Sequence, residues 1–130
     1  MLTLDSLEEG SEVTIRDRRY IQGTLDVLIL KTLSWGPMHG YGIASWIERC
    51  TDDALQIEDG SLYPALHRME RKGWIAFDWR ITENGRRAKY YALTEEGRAK
   101  LRRDAVDWAS FATAVAKVLD GSLAPAWAVR

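Results

Sequence analysis

The 130-residue chain is poor in the residues that announce chemistry. It has one cysteine, Cys50, so no intramolecular disulfide is possible, and the chain suits a reducing cytoplasm. Only two histidines occur, and His39, Cys50 and His67 do not fall at any recognised metal-ligand spacing. No apolar run reaches the 18 residues that a membrane span needs. The first residues, "MLTLDSLEEGSEVTIRDRR", lack a basic segment followed by an apolar block, so no secretory signal is expected. Paired carboxylates, a nucleophile–base set and a phosphate loop are also missing, which sets an enzyme aside; no cofactor is expected. Net charge is nearly absent too, at −1.

That small net charge hides a segregation. Between Ser61 and Arg103 there are 11 Lys/Arg against 5 Asp/Glu, and elsewhere 7 against 14. Charge divided in this way gives a basic face for a polyanion and an acidic remainder.

The length fits one domain with a modest core. Residues 1–20 show no sustained period and read as an N-terminal arm. From Thr24, the expected N-cap with Asp26 in the first turn, Leu25, Leu28, Ile29 and Leu33 form a helical stripe that Gly36-Pro37 ends. A shorter second helix follows in "HGYGIASWIERC", with Tyr41, Ala44 and Ile47 on one line and Ile43 and Trp46 flanking. A polar connection with a short extended piece at Leu55 to Ile57 leads to a third helix.

In the third helix, Leu62, Ala65, Leu66 and Met69 recur at i, i+3, i+4 and i+7, the pattern of a buried stripe. With Ser61 as N-cap, Pro64 occupies the third helical position, where its missing N–H costs nothing. Lys72-Gly73 closes the helix. Tyr63, His67, Arg68 and Arg71 are left facing outward, an odd set to offer to water alone.

The period then changes to two. Ile75, Phe77 and Trp79 alternate with polar or small residues, as do Lys89, Tyr91 and Leu93, about an Asn84-Gly85 turn. The hairpin carries Arg86 and Arg87 at its tip and Lys89 behind them. Tyr91 shares parity with Leu93 and reads as core; Tyr90 faces the other way, toward either a nucleic-acid backbone or the underside of the hairpin.

The last helix begins after Thr94, with Glu95 and Glu96 in its first turn. Leu101, Ala105, Trp108, Ala112, Val115 and Leu119 recur at alternating spacings of four and three, a heptad seam. Such a helix is longer than a domain this size can cover, so a second copy is the simplest partner for the seam. Trp108 between Ala105 and Ala112 leaves room for a flat apolar ligand, or else the alanines receive the partner's indole.

Three helices, the third with a cationic outer face, then a basic hairpin, make the order of a winged helix-turn-helix: a mainly α fold with a small β-hairpin. A helix fits the major groove of DNA and reads base edges, while wing cations neutralise phosphate. Ser61, Tyr63, Pro64, His67, Arg68 and Arg71 are the expected helix contacts; Arg86, Arg87, Lys89 and Tyr90 are those of the wing. The segments "GTLDVLILKTLSWGPMHGYGIA", "EDGSLYPALHRMERKGWI" and "ENGRRAKYYALTEEGR" resemble the PadR family of transcriptional regulators, over about residues 21 to 119. The resemblance implies a DNA-binding domain at 21–93 and a dimerising helix at 94–120; the first 20 residues and the tail at 121–130 depart from the family pattern. It implies a homodimeric repressor on a pseudo-palindromic operator, released by a small aromatic or hydrophobic compound. The rival expectation is a winged-helix adaptor that uses the same surface to bind protein.

Overall fold

In a computed structural model, residues 13–15, 18–121 and 123–128 are described, and most of the expected arm lies outside them. Three helices form the body: α1 (Arg18–Leu33), α2 (Gly40–Cys50) and α3 (Asp59–Arg71). The hairpin strands are β4 (Ile75–Ile81) and β5 (Arg87–Leu93), and α4 (Glu95–Leu119) leads away. Three short strands complete the set among the described residues: β1 (Val13–Ile15), β2 (Met38–His39) and β3 (Leu55–Ile57).

The body buries one apolar cluster where the three helices meet the base of the hairpin. Ile29, Leu30 and Leu33 of α1, Ile43 of α2, Leu62, Leu66 and Met69 of α3 and Ile75 of β4 are shut off from solvent. Burying such side chains supplies about 1.5–3 kcal/mol each before chain entropy is subtracted. The stripe expected on α3 is the one observed.

Other expectations are corrected. Helix α1 begins at Arg18, so Thr24 is not its N-cap and Asp26 lies well inside it. Gly23 is exposed and carried within the helix, a cost of about 1 kcal/mol that packing of the stripe outweighs. On α2 the buried residues are Gly40, Ile43, Ala44 and Ile47, again i, i+3, i+4 and i+7, and Tyr41 is 76% exposed. Gly40 occupies the first place of that stripe but carries no apolar side chain to mark it. Helix α3 starts two residues before Ser61, with Glu58 as N-cap; its carbonyl accepts from Ser61 N at 3.0 Å and Leu62 N at 2.9 Å. Pro64 is therefore the sixth helical residue. The carbonyl it leaves without a helical donor belongs to Gly60, an exposed residue that water can reach.

The hairpin is also part of a larger sheet. Strand β2 pairs with β5 (Met38 with Tyr91, His39 with Tyr90), giving the antiparallel order β2-β5-β4. Strand β1 pairs in parallel with β3, Val13 opposite Leu55, so part of residues 1–20 is regular structure.

Between α3 and α4 the chain is tied tightly. Thr94 caps α4 by accepting from Gly97 N (3.0 Å) and donates to the carbonyl of Gly73 (2.5 Å). Gly97 lies so close to Trp74 that a Cβ there would sit 1.9 Å from the Trp74 carbonyl oxygen. Beyond Asp104 the helix leaves the body, and Trp108, Phe111, Val115, Val118 and Leu119 are exposed.

Candidate nucleic-acid interface

Residues on α3 sort by helical phase. Opposite the buried stripe run Gly60, Pro64, His67 and Arg71, at i, i+4, i+7 and i+11, all exposed. This row is the true outer face. The flanks are occupied by other contacts, and each is tied to a different part of the fold.

On one flank, Arg68 donates through Nη2 to Asp26 Oδ1 of α1. Asp26 is only 8% exposed, and burial, more than the guanidinium offsets, raises its pKa above 3.8. Arg68 therefore turns inward, which corrects its placement on the outward face. On the other flank, the Tyr63 ring lies on Gly40 at the start of α2; a Cβ at Gly40 would be 2.8 Å from Tyr63 Cε1. Glu70, one turn pair further along that flank, faces Lys89 of the wing at 3.9 Å.

A groove of about 580 Å³ opens between this helix and the wing. Tyr63 and His67 line one wall; Trp79, Arg86, Arg87 and Lys89 line the other; His39 and Tyr41 close the end. The hairpin register explains the second wall. Phe77 opposes Tyr91, Trp79 opposes Lys89 and Ile81 opposes Arg87, so aromatic and cationic side chains share one face. Arg87 stands over the Trp79 ring at 4.3 Å and Lys89 over Phe77 at 4.0 Å, cation–π contacts that pre-order both cations. The loop is pinned: Thr82 N donates to the Arg86 carbonyl at 2.7 Å, and Gly85 takes φ +79°. Tyr63 and Tyr91 both have raised pKa values, chiefly from burial, so their phenols keep their protons at neutral pH.

Of the residues singled out from sequence, Tyr63, His67, Arg86, Arg87 and Lys89 converge on the groove, and Pro64 and Arg71 sit on the outer row beside it. Ser61 is half-buried on the Arg68 flank. Tyr90 is on the opposite face of the wing, its ring edge-on to His39 at 5.1 Å and under Arg80 at 5.4 Å. Of its two expected positions it takes the packed one. His39, Tyr41 and Trp79 were not foreseen. His39 caps α2 by accepting from Gly42 N on Nδ1 (2.8 Å), a capping role that histidine seldom advertises. Trp79 was readable from the hairpin register, since it shares parity with Phe77 and Tyr91.

Comparison with known proteins gives a consistent result. Residues 29–103 match the model of the transcriptional regulator PadR-like family. A protein of Lysinibacillus sphaericus known only as protein X is 30% identical over 101 residues, covering 78% of this chain and 93% of that one. The transcriptional regulator Rv3488 of Mycobacterium tuberculosis is 29% identical over 87 residues, 67% of this chain and 78% of its own. Among solved structures, a transcriptional regulator from Clostridium thermocellum superposes with a TM-score of 0.66 at 29% identity, covering 82% and 99% of the two chains. A PadR-like regulator from Bacillus cereus gives 0.68 at 26% identity, covering 80% and 99%. With the family model covering more than half of its length, the chain belongs to the PadR-like family of transcriptional regulators.

Proposed function

We propose that this protein is a homodimeric repressor that binds double-stranded DNA in a sequence-specific way. The observation that carries this reading is the outer row of α3 beside the cationic wall of the wing. Laid in a major groove, the row offers His67 and Arg71 to base edges, while Pro64 and Gly60 allow close approach. Arg86 and Arg87, exposed at the wing tip, neutralise phosphates of the adjoining backbone. Lys89 contributes less, because Glu70 partly offsets its charge.

Helix α4 supplies the second copy. Among the described residues nothing covers Trp108, Val115 and Leu119 of the seam, which suits pairing with its own image and so carries two recognition helices to half-sites about one helical turn apart or a multiple of it. A dimer seated across two groove segments occludes the duplex, hence repression. It works on DNA in the cytoplasm, where the exposed thiol of Cys50 stays reduced. Trp108, 38% exposed and edge-on to Phe111 at 6.2 Å, is the seat for a small aromatic effector within the paired helices. Such a ligand releases DNA only if it binds one spacing of the recognition helices better than the other.

The test is selection of a duplex from a random-sequence library, followed by anisotropy measured against salt. A steep linear fall of log affinity with log salt is expected. Failure to bind any duplex, with capture of a protein partner on the same face, would instead establish the adaptor reading.

A further inference from the structure

The flank contacts of α3 assign a role to a residue outside the lining of the groove. Arg68 is the basic residue on the Arg68–Ser61 flank of the recognition helix, yet its guanidinium is withdrawn into the body. Its partner Asp26 lies 42 positions earlier, on α1, with a side chain only 11% exposed, against 22% for Arg68. Two further charges lie near the pair, from the first part of α4: Lys100, which also stands over the Trp74 ring at 4.7 Å, and Asp104, ion-paired to Lys100 at 3.1 Å. Two cations and two carboxylates from three helices thus meet beneath one side of α3.

We propose that Asp26 is a positioning residue for DNA recognition: by holding Arg68 it fixes the roll of α3 about its own axis and keeps that guanidinium out of the groove. This rests on the DNA-binding reading above. The geometry makes roll the relevant variable. Adjacent residues of a helix differ by about 100° in phase, so a small rotation exchanges one side chain for another at the outermost line. Tyr63 on Gly40 limits rotation in one sense, and Arg68 on Asp26 limits it in the other. Between these two stops the row Gly60, Pro64, His67 and Arg71 faces outward.

A freed Arg68 has a long, flexible side chain and a permanent charge, and the nearest polyanion is the DNA backbone itself. It would then add a phosphate contact that carries no sequence information. Asp26 in this account raises specificity by removing a non-specific contact as well as by aligning the helix.

The experiment is a double-mutant cycle with Asp26→Ala, Arg68→Ala and the double variant, each first shown to be folded by its thermal melt. Two probes are used: the duplex that the wild type selects from a random library, and a shuffled duplex of equal length and composition. Arg68→Ala should weaken binding of the selected duplex roughly ten-fold, leaving the shuffled duplex and the salt slope unchanged. Asp26→Ala should lose the same preference but bind the shuffled duplex more tightly, with a salt slope steeper by about one unit. The double variant should match Arg68→Ala alone, because Asp26 acts only through Arg68. Should Asp26→Ala fail to fold, Asp26→Asn keeps the volume and carries the same expectation. The proposal is overturned if Arg68→Ala weakens both duplexes alike and lowers the salt slope, which would make Arg68 a phosphate contact already. It is equally overturned if the two single effects add and neither tightens the shuffled duplex. A wild type that selects no duplex overturns the DNA reading itself, and this proposal with it.

Discussion

Gly40 and Tyr63 touch because Gly40 has no side chain: the phenol ring of α3 occupies the place where a Cβ on α2 would stand, 2.8 Å from Cε1. Tyr63 therefore packs along its edge on a neighbouring helix and exposes the rest of its ring to the groove.

Gly40→Ala must push that ring aside. Tyr63 is a side chain that can move, so the expected loss of stability is modest, about 1–2 kcal/mol by the usual cost of overpacking. Binding of the selected duplex should fall more than stability does. Urea unfolding and anisotropy on the same variant check this, and an unchanged affinity with normal stability would mean that Tyr63 does not set the groove.

Gly97→Ala offers a contrast. The group in the way is the carbonyl of Trp74, part of the backbone, only 1.9 Å from the added Cβ. That carbonyl also accepts from Thr94 N at 3.1 Å, so the capped start of α4 cannot shift without losing it. A loss of about 3 kcal/mol or more is expected, at the upper end of overpacking costs. A melting temperature within a few degrees of wild type would show that the junction can yield.

The two wing arginines should behave alike in one respect and differ in another. Removing either by Arg86→Ala or Arg87→Ala should weaken selected and shuffled duplexes equally and lower the salt slope by roughly one unit. Only Arg87 is stacked on Trp79, at 4.3 Å. Trp79→Ala should therefore reproduce part of the Arg87 loss, about 0.5–1 kcal/mol for an exposed cation–π contact, and leave Arg86 unaffected. Salt titrations of the three variants and the pair Trp79→Ala/Arg87→Ala test this.

Much of this was written locally in the chain. The stripe of Leu62, Ala65, Leu66 and Met69, the cap at Thr94 and the turn at Asn84-Gly85 each depend on residues within a few positions of one another. What escaped has a common physical reason. Gly40 heads the buried stripe of α2, but a glycine bears no apolar mark, so the pattern points to Tyr41 in its place. Strand β2 has two residues, too few to show a period. Arg68 looked like a base reader because nothing near it in sequence betrays Asp26, a partner on another helix. Helical phase ranks outward faces well; it cannot say which flank a distant residue will claim.

Asp26 gives a pH dependence whose sign can be worked out. Burial raises its folded pKa above the ordinary 3.8, the Arg68 ion pair only partly opposing this. The folded state thus binds the proton more tightly than the unfolded one. The contribution is fully present below 3.8 and is lost as pH rises through the folded value. Asp26→Asn removes this dependence. Relative to wild type, its stability should improve from the acid side of that window to neutral pH, as read from urea midpoints at both ends. A difference between the two proteins that does not vary with pH would place Asp26 in a more hydrated site than its burial indicates.

The seam of α4 divides into two parts with different predicted responses. Leu101 packs against the core of its own chain, so Leu101→Asp should unfold the protein and says nothing about pairing. Val115 and Leu119 lie beyond the body and are exposed, so Asp substitutions there leave the fold of the single chain intact. If these residues face a second copy, Val115→Asp with Leu119→Asp places four carboxylates in one paired seam, two from each chain. Removal of apolar contact, at about 1.5–3 kcal/mol per buried side chain, and the burial of charge both oppose association. Sedimentation should show a wild-type dimer at micromolar concentration and a folded monomer for the double variant. That monomer should keep the wild-type circular dichroism spectrum, bind a single half-site weakly, and lose the gain that two joined half-sites give. A wild type that sediments as a monomer at tens of micromolar, or a double variant that still dimerises, would move the pairing surface off this seam.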